Sequence, residues 1–253
     1  MKRLIATLLL TATPFATPAL AFDIKAMSDD DKAAFGEAVR DYLMANPEVL
    51  IESINVLEER RAADSAVNDK ELVASNHQAI FEDGHSWVGG NPEGDLTIVE
   101  FIDYRCGVCR RFNQEVHDLV AADGNIRLVL KEFPILGQDS EASARFAVAV
   151  KQIAGDEAYV KAHDALIELR SPATLEALRK IAGEIGVDAD EVVNRMNTEE
   201  VTAVLRDNHQ LAERMAIQGT PTFVIGDELL RGVPQAGLTE TVAQIRADQP
   251  DQG

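Results

Sequence analysis

Seven residues, Leu96-Thr97-Ile98-Val99-Glu100-Phe101-Ile102, constrain the fold of this chain more than any other stretch. They are apolar and β-branched almost without interruption, as in a strand covered on both faces of a sheet rather than one with a wet side. After three further residues Cys106-Gly107-Val108-Cys109 opens a segment of helical spacing that runs to about Ala122. Ile126-Arg127-Leu128-Val129-Leu130 then reads as a second strand. Strand, helix and strand in so short a span make a βαβ unit, so the two strands are expected side by side and parallel. Upstream, Gly89-Gly90-Asn91-Pro92-Glu93-Gly94 reads as a turn.

Cys106 and Cys109 are the only cysteines among 253 residues. At helical spacing their sulfurs lie one turn apart and can close a small disulfide ring. Cys106 stands where unpaired backbone N–H groups and the positive helix end favour a thiolate, which makes it the expected nucleophile. Cys109 lies deeper and is the expected resolving thiol. Gly107 leaves room for a substrate chain, which would also pass Val108. Arg105, Arg110 and Arg111 would favour the thiolate further, or are simply solvated. A static bridge closing so small a loop would stabilise little. Capture of Cu(I) by the two soft sulfurs is the main alternative. His77, His85, His117, His163 and His209 show no spacing that completes a metal site, so neither a metal nor an organic cofactor is expected.

The chain starts with Lys2 and Arg3, the apolar run Leu4 to Leu10, and Ala19-Leu20-Ala21 before Phe22. This pattern predicts a signal peptide over 1–21 and export to the periplasm, where disulfides persist. A retained anchor is the alternative, but Pro14 and Pro18 interrupt a run already short for spanning. Cleavage would remove two positive charges and take the net charge from −19 to −21. Such an acidic chain is not expected to bind nucleic acid.

Residues 22–84 read as a separate helical segment. Ser28 caps a first helix with Asp29, Asp30 and Asp31 in its first turn, and Phe35, Val39, Tyr42 and Leu43 share one face. Asn46-Pro47 restarts the helix, and Leu50, Ile54 and Leu57 continue the stripe. Two single-stripe helices cannot form a core alone, so they dock on the main domain or on another copy of the chain. Residues 139–217 read as helices, with Ser140 capping the first through Val150 and a second running from Ala158 to Leu169. Thr222-Phe223-Val224-Ile225 and Glu228-Leu229-Leu230 form a hairpin, and a helix from about Leu238 to Ala247 follows. Pro221 opens the first hairpin strand, a place a sheet tolerates.

The run VEFIDYRCGVCRRF, together with GGNPEGDLT, KEFPILGQDS and GTPTFVIG, resembles the DsbA-like branch of the thioredoxin superfamily. VRDYLMANPEVLIESINVLEER is similar to the N-terminal helical extension of ScsC-like periplasmic proteins, which serves oligomerisation there. The resemblance implies an α/β thioredoxin fold over 85–253 with a large helical insertion at about 139–217. It implies a cis peptide bond before Pro221, with Thr220 beside it meeting the substrate. It also implies that Glu100, six residues before Cys106, is a buried acid near the resolving cysteine. Glu100 would relay the proton of Cys109, with Lys131 as a possible partner, or form a buried ion pair. Gly107-Val108 stands where strongly oxidising members carry Pro-His, and Thr220 is closer to the isomerase-type members. The expected activity is therefore thiol:disulfide exchange with cysteine-containing proteins, as oxidase or isomerase, recharged by a membrane or periplasmic redox partner.

Overall fold

A computed structural model describes residues 27–248, apart from the side chains of residues 58, 59 and 61–64, so the expected signal peptide lies outside the described residues. Two compact units divide the chain, Met1–Glu59 and Arg60–Gly253. In the first, Ser28 caps helix α1 (Asp29–Ala45) by accepting from the Asp31 N–H, while the Asp31 carboxylate accepts from the Ser28 N–H. The two bonds form a capping box over three first-turn aspartates. Helix α2 (Glu48–Ser75) follows Asn46-Pro47. Phe35, Val39, Tyr42, Leu50, Ile54 and Leu57 are exposed, Tyr42 by 59% and Ile54 by 54%.

The second unit is built on a five-stranded sheet in the order β1-β3-β2-β4-β5. Strands β2 (Leu96–Ile102) and β3 (Ile126–Glu132) are parallel and joined by helix α4 (Gly107–Asp123), as the βαβ pattern requires. Strand β4 (Thr222–Ile225) runs antiparallel to β2 and pairs with β5 (Glu228–Arg231) as a hairpin. The edge strand β1 (Trp87–Gly90) pairs antiparallel with β3. Gly89 and Gly90 thus belong to a strand, not to the expected turn. Half of β1 is glycine and has no β-propensity to reveal it. Packing explains the glycine instead: the Trp87 ring lies over Gly89, where a Cβ would come within 2.0 Å of it. That ring also stacks on Tyr159 at 5.8 Å.

Alternation along β2 and β3 feeds two cores. Leu96, Ile98, Ile102, Ile126, Leu128 and Leu130 pack with Val116 and Leu119 of α4. Val99, Phe101, Val129 and Val224 pack on the other face with Val73 of α2 and Ile80 of helix α3 (His77–Phe81). Neither face is wet, which is why β2 reads as one continuous apolar run. The end of α2 is tied to β5 by two hydrogen bonds, 2.7 and 2.9 Å, from the Arg231 guanidinium to the Asp69 carboxylate.

Between β3 and β4 lie helices α5 (Gln138–Glu168), α6 (Leu175–Glu184), α7 (Ala189–Met196) and α8 (Glu199–Arg214), and α9 (Leu238–Asp248) follows β5. The two helices expected at the start of the insertion abut as α5, broken only where Gly155 takes φ +80°. Ser140 is not the cap: α5 starts behind Gly137, and Ser140 is buried within its first turn. No helix among the described residues is long and apolar enough to cross a membrane.

Candidate active site

The loop after β2 delivers Cys106 to the N-cap of α4, with extended backbone (φ −70°, ψ 116°). Its sulfur accepts from the Cys109 N–H at 3.4 Å, and its S–H donates to the Thr220 carbonyl at 3.1 Å. Burial works against the Cys106 thiolate. Hydrogen bonds from the Cys109 N–H, the Thr220 side chain and the Val108 N–H outweigh it and hold the thiol below its ordinary pKa. Cys109 is 1% exposed against 6% for Cys106. Burial, then the charge of Glu100, push the Cys109 thiol well up. The two sulfurs therefore differ in opposite directions from an ordinary thiol.

Thr220 reaches Cys106 because β4 pairs with β2, with Thr222 opposite Phe101. The Thr220–Pro221 peptide bond is cis. Gly107 is exposed and Val108 half-buried beside the pair. Asp103, which the sequence reading passed over, shapes the approach to Cys106. Its carboxylate accepts from the Arg105 N–H at 2.7 Å and from the Ile135 and Leu136 N–H groups at 2.8 and 3.0 Å. An aspartate directly after a strand, able to accept from the backbone two residues on, was the available sign. Arg105 and Arg110 are not turned to the thiolate. Arg105 donates to the carbonyls of Leu169 and Ser171, and Arg110 to that of Ile167 at 2.8 Å, so both cap the negative end of α5. Among the described residues, no third His, Cys, Asp or Glu completes a metal-ligand set with the two sulfurs.

The family model for the DSBA-like thioredoxin domain matches residues 97–243, a span from β2 into α9 that holds both cysteines and the insertion. The chain belongs to this DSBA-like family. A second model, for the N-terminal domain of the copper resistance protein ScsC, matches residues 31–64. A crystal structure of a thioredoxin-like oxidoreductase from Silicibacter pomeroyi is 41% identical, with a TM-score of 0.63 over 69% of this chain and 99% of that one. ScsC of Proteus mirabilis in a transitional conformation is 24% identical, with a TM-score of 0.63 over 90% of this chain and 100% of that one, a likeness of fold. A stretch of the Na(+)/H(+) antiporter NhaA 1 of Salinispora arenicola is 26% identical over 139 residues, covering 54% of this chain and 21% of the antiporter. The chain thus spans about a fifth of the length of the curated relatives matched first.

Within this DSBA-like domain Glu100 is buried, and burial followed by the charge of Cys106 pushes its carboxyl up to about 8. Lys131 is not its partner. The register sets Glu100 opposite Leu130 and Lys131 opposite Phe101, so the acid and the ammonium leave the sheet on opposite faces. Lys131 is fully buried and pairs with Asp83, with Ser86 Oγ at 3.3 Å. Another buried acid, Glu132, escaped the sequence reading. The hydroxyls of Tyr104 and Tyr159 lie 2.8 and 2.7 Å from its Oε1, while its Oε2 is buried without a partner. Burial pushes Glu132 up to about 8.

Proposed function

We propose that this protein is an exported, periplasmic thiol:disulfide oxidoreductase acting on cysteine-containing proteins, with Cys106 as nucleophile and Cys109 as resolving thiol. The observation that supports it best is the placing of Cys106 Sγ between the Cys109 N–H and the Thr220 carbonyl at the head of α4. The Cys106 thiolate attacks one sulfur of a substrate disulfide, forming a mixed disulfide and releasing the other sulfur as a thiolate. Cys109 gives its proton to the Glu100 carboxylate and attacks Cys106 Sγ. The substrate leaves as a thiolate, and the pair is left as a disulfide. Run in reverse, the same steps oxidise a dithiol substrate and require a redox partner to restore the disulfide. The edge at Thr220-Pro221, with Gly107 and Val108 beside it, receives the substrate as an extended strand.

Incubating the purified chain separately with a reduced and with a scrambled disulfide substrate, beside a Cys106→Ala control, tests this reading. Gain of disulfides in the reduced substrate marks an oxidase, and reactivation of the scrambled one an isomerase. Activity on neither, with copper retained through buffer exchange, would favour Cu(I) capture by the same thiolates. Glu100→Gln is expected to slow resolution of the mixed disulfide and to flatten its pH dependence near pH 8, read by single-turnover quench. An unchanged pH profile would return Glu100 to a purely structural role.

The exposed apolar side chains of α1 and of α2 before residue 60, and the match of residues 31–64 to the ScsC N-terminal domain, support assembly of several chains through these helices. Light scattering is expected to give a mass above one chain. Leu50→Glu together with Ile54→Glu should reduce it to a single chain. A wild-type monomer would oppose the assembly.

A further inference from the structure

The surface where α4 meets α5 carries a second constellation that thiol exchange does not use. His117 of α4, and His163 and Asp164 of α5, place ligand atoms all within 4.8 Å of one another. His163 is buried, His117 half-buried and Asp164 exposed, so the cluster is fixed at its inner end and open to solvent at its outer end. Asn113, one turn before His117, brings its Oδ1 to 2.7 Å from His163 Nε2. Behind His163, Nδ1 lies 3.2 Å from the Tyr104 hydroxyl, which continues to Glu132.

We propose that His117, His163 and Asp164 bind a zinc-class divalent cation. Two imidazoles and a carboxylate are borderline donors that suit Zn²⁺ or Cu²⁺ better than the all-oxygen cations. Glu168, one helical turn beyond Asp164, adds negative charge at the open end.

The Tyr104 hydroxyl at His163 Nδ1 is the kind of outer contact that orients a metal-bound imidazole.

The test uses the full chain carrying Cys106→Ala and Cys109→Ala, so that no thiolate binds metal and the outcome is independent of the redox reading. Calorimetric titration with zinc chloride reads affinity and stoichiometry. One zinc per chain is expected, and His117→Ala or Asp164→Ala should each weaken binding by at least about tenfold with circular dichroism unchanged. Absence of saturable binding, or binding unaffected by both ligand replacements, would overturn the site.

Discussion

A Cys106→Ala variant is expected to lose thiol–disulfide exchange entirely, whereas Cys109→Ala should form the mixed disulfide and stall there. The asymmetry rests on the two environments. Cys106 Sγ accepts from the Cys109 N–H and has its pKa lowered, while Cys109 is buried and raised. Alkylation of the reduced protein, followed by mass spectrometry across a pH series, should modify Cys106 with a midpoint below the ordinary thiol value of about 8.5. Cys109 should stay unmodified throughout. A lowered folded pKa means that the thiolate's stabilising contribution is present in full above the unfolded thiol value and is lost as pH falls through the folded one. A disulfide has no thiolate, so this contribution favours the reduced form and makes the pair a stronger oxidant. Exchange that persisted in Cys106→Ala would remove the proposed mechanism.

Asp83→Ala is expected to cost about 3–5 kcal/mol of folding stability, because it leaves an uncompensated ammonium inside the protein. Lys131 is fully buried on the sheet face shared by Val129 and Phe101, and Asp83 is its ion-pair partner. The Asp83 carboxylate also accepts from the N–H groups of His85 and Ser86, at 2.9 and 2.8 Å, and from Ser86 Oγ at 2.6 Å. Burial raises the Asp83 pKa, but the Lys131 charge and these hydrogen bonds outweigh it and lower the carboxyl to about 2. The contribution of Asp83 should therefore be present above its unfolded pKa of about 3.9 and disappear as pH falls through about 2. Urea midpoints of wild type and variant should be far apart at pH 7 and converge near pH 2. Adding Lys131→Met to Asp83→Ala should recover most of the loss, since no charge then remains to be solvated. A difference within about 0.5 kcal/mol at pH 7, typical of surface substitutions, would show the pair to be dispensable.

The local elements were legible because their causes are local. The capping box at Ser28 and Asp31, the doubly covered run Leu96–Ile102, the cysteine pair at a helix start and the hairpin through Thr222–Ile225 all depend on neighbours a few residues away. Strand β1 was hidden because its glycines carry no strand preference, and only the folded structure explains them: the Trp87 ring lies over Gly89, and a Cβ on Gly90, at φ +69°, would come within 2.3 Å of the Ile126 carbonyl oxygen. Ser140 misled because a serine before an apolar run signals a cap, yet the backbone turned into helix three residues earlier, behind Gly137.

By itself the sequence determined the βαβ unit, the pairing of Cys106 with Cys109 one turn apart, and the succession of helices before the hairpin. Periodicity, caps and turn residues act over single elements, and that is their reach. Only the tertiary structure decided which buried charges meet. Lys131 adjoins Glu100 in the sheet, but strand register turns the two to opposite faces, so Asp83 from before β1 becomes the partner. Tyr104 of the loop after β2, Glu132 of β3, and Tyr159 and His163 of α5 come from three separate segments, and their hydrogen-bonded chain exists because α5 packs against the sheet beside α4. Face and neighbour are set by register and packing across the whole chain, which no local pattern of residues encodes.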